Sequence, residues 1–146
     1  MIGLLIIATI ASVAYPMYVI YALKDIPETL SATYSTFQEM YQTAIILMGL
    51  GVLPIWVNSS HWYTIPFVLI SCAGMVIAAY VQEWKRHCCI VVACCLSAIL
   101  WQICEGQWIG LAVFGVLFFV MSILKGKPYL WAELAIIYSV IFNMWF

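Results

Sequence analysis

Charge is what this sequence has least of: five basic and six acidic side chains in 146 residues, or 8% of the chain, against 67% apolar. An ordinary soluble domain is about half apolar and about a quarter charged. A soluble core of this length needs a polar shell that so few charges cannot supply, so lipid is the expected solvent. With a net charge of −1 and no basic cluster, neither nucleic acid nor a strongly anionic lipid surface is expected as a partner. Familiar catalytic signatures are missing too. There is no Gly-x-Ser-x-Gly elbow, no His-Glu-x-x-His, no phosphate-binding glycine loop and no dinucleotide fingerprint. No cofactor is implied.

What the sequence does have is long apolar runs. The first extends from Met1 to about Leu23 and carries Pro16, a candidate kink. Small residues at Ala11-Ser12-Val13-Ala14 mimic a cleavage site, but no positive charge precedes the run and apolar residues continue past it, so a retained helix is expected. Further spans are expected at about 41–57, 62–81, 88–104, 107–124 and 129–146. Most approach the roughly 20 residues needed to cross a hydrocarbon core about 30 Å thick, several of them only just. Continuous apolar runs argue for helices, because barrel strands need about ten residues of alternating character. The polar loop 24–40 is broken by Pro27, and Ser31 or Thr33 is a candidate cap for the second helix.

The six cysteines lie in or beside apolar runs and include no Cys-x-x-Cys, so neither a disulfide framework nor a zinc site is expected. They read as small apolar helix residues. Cys88 and Cys95, seven apart, share a helix face, which leaves a redox or lipidation role open. Gly106 and Gly110 form a small-x-x-x-small pair suited to close packing within the chain or between copies.

All five basic residues, Lys24, Lys85, Arg86, Lys125 and Lys127, fall in the first, third and fifth connections. The positive-inside rule places those connections in the cytoplasm. The expected architecture is therefore an all-α, single-domain, multi-pass bundle of six transmembrane helices in a cell membrane, with both termini outside. Trp56, Trp62, Trp101, Trp108 and Trp145 would then belong to an outer aromatic belt, Trp84 and Trp131 to an inner one.

This topology gathers Glu28, Ser31 and Tyr34 from the first loop, Glu83 and His87 from the third, and Glu133 from the last span at the cytoplasmic boundary. Glu133 is the most informative, since a carboxylate inside an apolar helix is costly unless paired or wet. His87 is a candidate partner, and a Glu–His pair can move protons, bind a cation or orient water. The plainer alternative is that Glu133 snorkels or pairs with Lys125 or Lys127. His61 reads as an exposed loop histidine and Glu105 as a solvent-facing turn residue. Glu39 suits the start of the second helix.

The layout of an apolar first span, Lys24, Pro27-Glu28, Ser31-Ala32-Thr33-Tyr34, His87 opening a later helix and Pro128-Tyr129-Leu130-Trp131-Ala132-Glu133 opening the last resembles small polytopic proteins of gut Bacteroidetes and their phages. That resemblance implies a bacterial inner membrane and no activity. A looser likeness links the chain to membrane hydrolases of the alkaline ceramidase type, which use a serine, an acid and histidines at zinc. Here there are only two histidines, and topology puts His61 on the opposite face from His87, so a three-histidine site cannot form within one chain. The leading expectation is a non-enzymatic transport or permeation unit, or an oligomeric membrane component. The rival is a hydrolase of lipid or lipid-linked substrates at the inner boundary.

Overall fold

Among the described residues the apolar runs fold as six α-helices: α1 (Ile2–Leu23), α2 (Gln38–Asn58), α3 (Ile65–Tyr80), α4 (Trp84–Cys104), α5 (Trp108–Lys125) and α6 (Pro128–Trp145). A short 3-10 helix, Ser31–Ser35, lies in the first loop. This computed structural model describes every residue except Met1 and Gln82, and of Tyr34 only the backbone. Among the described residues there is no strand. Four helices, α1, α2, α4 and α5, are long and apolar enough to cross a membrane. α3, at 16 residues, is shorter, about 24 Å at 1.5 Å per residue.

Three boundaries differ from the expected ones. α4 starts at Trp84 rather than Cys88, with the His87 amide already bonded to the Glu83 carbonyl at 2.8 Å. Its first turn is polar because it reaches the end of the bundle, so polarity there does not mark a loop. α3 starts only at Ile65, since residues 62–64 form a turn closed by the Thr64 amide on His61 O at 2.9 Å. Neither Ser31 nor Thr33 caps α2. Both lie within the 3-10 helix, and α2 follows Phe37 without a side-chain cap.

Successive helices pair as antiparallel neighbours, most extensively α1 with α2, α3 with α4 and α5 with α6, while α6 also touches α1, α2 and α4. Glycine sets two of these approaches. A Cβ on Gly51 would meet Leu4 O at 2.7 Å and Ala8 Cβ at 2.8 Å, and one on Gly110 would meet Asn143 Oδ1 at 2.7 Å. Gly110 therefore serves packing inside the chain. Pro16 sits within a continuous α1 and cannot donate to the carbonyl of Ser12 four residues back. The Tyr138 hydroxyl of α6 donates to that carbonyl instead, at 3.0 Å.

The core has two centres. One, at the end holding the basic residues, collects Tyr15, Val19, Tyr41, Met48, Leu130 and Leu134. The other, toward the opposite end, collects Leu5, Val52, Trp56, Val68, Trp101 and Val140. Trp56 and Trp101 are not belt residues. They are 2% and 0% exposed and meet edge to face at 5.3 Å. Trp131 is also packed, stacking on Phe118, whereas Trp62, Trp84, Trp108 and Trp145 are exposed. α5 contributes only Gly110 to the buried set and presents its remaining apolar face outward.

Candidate functional site

Lys127, in the left-handed region at φ 61°, and Pro128 at the first turn start α6 and set the direction in which Glu133 projects. Its carboxylate reaches across to the first loop. Leu30 N donates to Oε2 at 2.7 Å, Ser31 N to the same oxygen at 3.3 Å, and Ser31 Oγ to Oε1 at 2.7 Å. Glu133 thus satisfies backbone donors where the 3-10 helix begins, which have no partner within that turn. Thr29 Oγ1 takes the next amide, that of Ala32, at 2.8 Å. Thr33 Oγ1 donates to Leu30 O at 2.6 Å, so the short bond between Tyr15 and Thr33 has the tyrosine hydroxyl as donor. Lys127 also pairs with Glu28, which holds the lysine above its ordinary pKa.

Among the described residues, no hydrogen bond or ion pair joins Glu133 to His87, Lys125 or Lys127. His87 is buried at the α3–α4 corner, where Nδ1–H donates to Ala78 O at 2.9 Å. Its ring stacks on Trp84 at 6.1 Å and faces Tyr41 at 6.5 Å. Glu83 pairs with Arg86 at 2.8 Å on the surface, a contact that contributes little. Of the residues singled out in the sequence, Glu133 and Ser31 therefore meet, with Glu28 close by on the same loop. His87 and Glu83 belong to a separate corner. The Tyr34 side chain lies outside the described residues.

Between the two core centres lies a cavity of about 110 Å³. Glu133, Ser31, Tyr15 and Tyr41 line its basic end, while Trp56 and Val140 line the other. Cys94 and Cys95 face it from α4, beside Ala98. Every helix except α5 contributes to the wall. The six cysteines are all free thiols, and among the described residues no cluster of three or more metal-binding side chains occurs.

The opposite end carries a second carboxylate-centred clamp that sequence reasoning missed. Glu105, expected to face solvent, has a side chain only 3% exposed. It accepts from His61 N at 2.8 Å, from His61 Nδ1 at 2.6 Å and from the Thr64 hydroxyl. Burial pushes the Glu105 carboxyl up, but the Thr64 and His61 donors outweigh it and hold the group below its ordinary value of 4.5. His61, as expected, remains largely exposed, at 65%. Nearby, Asn143 Nδ2 donates to Gln102 Oε1 at 3.0 Å and to Gln107 O at 2.7 Å, tying the end of α6 to the α4–α5 turn. Trp101 Nε1 donates to Ser60 Oγ at 2.7 Å, and Ser60 in turn to Trp56 O at 2.6 Å. The available sequence signal was Thr64 directly before a helix-starting Ile65-Pro66, a turn whose donors need an acceptor from elsewhere.

Fold and site together define an all-helical bundle with apolar helices of membrane-crossing length, a chamber in its core and a carboxylate clamp near each end. Comparison with protein-family models, with curated proteins and with solved structures finds no match.

Proposed function

We propose that this chain is a six-span membrane protein, with both termini on the outer face, that acts as a small transport unit holding one small organic solute in its central chamber. The chamber between the two clamps is the observation that carries this reading. Ala78 and Ala98, both on its wall, leave room that larger residues would fill. The placement of all five basic residues at one end supports a cytoplasmic location for that end. The short α3 and α6 are accommodated by small tilts or a locally thin bilayer. The polar groups stand at the two ends with apolar walls between, an arrangement favouring passage over acid–base chemistry at a single cleft.

The chain's own thiols provide the test. Protein in liposomes is treated with the small neutral reagent 2-hydroxyethyl methanethiosulfonate, and modified positions are mapped by mass spectrometry. The expected result is modification of Cys94 or Cys95, strongly slowed by Ala98→Leu, with exposed Cys104 reacting equally in both proteins. If Cys94 and Cys95 stay unmodified while Cys104 reacts to completion, the chamber is not accessible and the transport reading fails.

A further inference from the structure

We infer that the solute is a small organic cation of the quaternary-ammonium kind, held in the chamber by Glu133 beside Tyr15 and Tyr41. This rests on the transport reading of the same chamber. A neutral apolar solute crosses lipid unaided, so a protein chamber of this kind is useful only to something lipid rejects. The charge on the chamber wall indicates what that is. Among the described residues Glu133 is the only acidic one lining it. Among the described residues, the ion pairs use Glu28, Glu83 and Glu105, and none supplies a cation to Glu133.

The carboxylate also has capacity left. An ionised carboxylate offers about four lone-pair sites, and three donors are in place, two on Oε2 and one on Oε1. Those donors orient the group and stabilise its charge without neutralising it. A cation beside a carboxylate in an apolar setting favours its charged form. Tyr15 and Tyr41 meet edge to face with centroids 5.8 Å apart, both on the chamber wall beside Glu133. Aromatic faces beside a carboxylate attract quaternary ammonium groups, whose methyls also suit apolar walls. Among the described residues the remaining wall, which includes Ile45, Met48 and Ile137, offers a single hydroxyl, that of Ser71, whereas a primary ammonium needs three acceptors. A cavity of roughly 150 Å³ admits benzene, so about 110 Å³ suits a solute of about five non-hydrogen atoms. Tetramethylammonium has that size.

Titration calorimetry on the full chain in nanodiscs, with tetramethylammonium and with neutral tert-butanol of similar size, tests the assignment. Tetramethylammonium is expected to bind, and tert-butanol to bind at least about tenfold more weakly. Glu133→Gln should weaken tetramethylammonium by about tenfold or more. Ser31→Ala, which removes one donor and keeps the charge, should retain binding within about threefold. Equal binding of the two solutes, or no effect of Glu133→Gln, overturns the cation assignment. If Glu133→Gln does not fold, the wild-type comparison of the two solutes decides alone. Absence of tetramethylammonium binding with Cys94 or Cys95 still reactive refutes the cation and leaves the chamber standing. Absence of both refutes both.

Discussion

At the scale of single residues, two carboxylates do comparable work at opposite ends, each taking loop donors that the loop's own acceptors leave over. Glu105 allows a pH test. Its pKa in the folded protein lies below the ordinary 4.5, so its contribution to stability is complete above that value and disappears as pH falls through the lower folded value. The thermal midpoint of Glu105→Gln should accordingly lie below that of wild type at neutral pH, and the gap should close as the solution is acidified below about pH 4. A gap that stays constant to pH 3 would rule out the ionised clamp. Glu133 was legible in the sequence through its cost in an apolar helix, but its partners were not. They are largely the backbone amides of Leu30 and Ser31, and every residue but proline carries an amide. His87 drew attention because its side chain is chemically distinctive, yet Nδ1 is committed to Ala78 O.

Between elements, the least obvious contact is the one proline creates. The Ser12 carbonyl, left without the amide of residue 16, receives the Tyr138 hydroxyl. Tyr138→Phe should cost about 1 kcal/mol. In a Pro16→Ala background the new amide takes the same carbonyl, so the loss on Tyr138→Phe should shrink to a few tenths of a kcal/mol. Denaturation of the four proteins of this double-mutant cycle in one detergent measures the coupling, and additive losses would show that Tyr138 and Pro16 are unconnected. Run length alone was enough to locate the helices, and Pro16 was visible as an interruption. The compensating hydroxyl lies 126 residues away, beyond what periodicity can indicate. The start of α4 was misplaced for a related reason. Trp84 to His87 are polar or interfacial in type, and only the tertiary position of that turn shows that it is helical.

For the molecule as a whole, charge placement leads to the clearest expectation. Reporter domains fused after Phe146 should be active outside the cytoplasm, and reporters inserted between Lys85 and Arg86 should be active inside. A cytoplasmic C-terminus would sink the six-span topology, with the 16-residue α3 the first suspect. The chamber had no signature in the sequence, because a void is defined by what side chains fail to reach. Ala98 and Cys94 look like ordinary small residues until five helices are placed around them.

The bond between Glu133 and the first loop also carries a time. Leu30 leaves the ribosome 103 residues before its acceptor, and at about 5–20 residues per second that interval is roughly 5–20 s. Throughout it the Leu30 and Ser31 amides lack this acceptor, although α2 is complete once Asn58 has followed. The nascent chain therefore passes that interval with this end unfastened, and only the arrival of α6 can fasten it. A stalled or truncated product lacking α6 should expose residues 28–35 to protease on the side where the finished protein resists it.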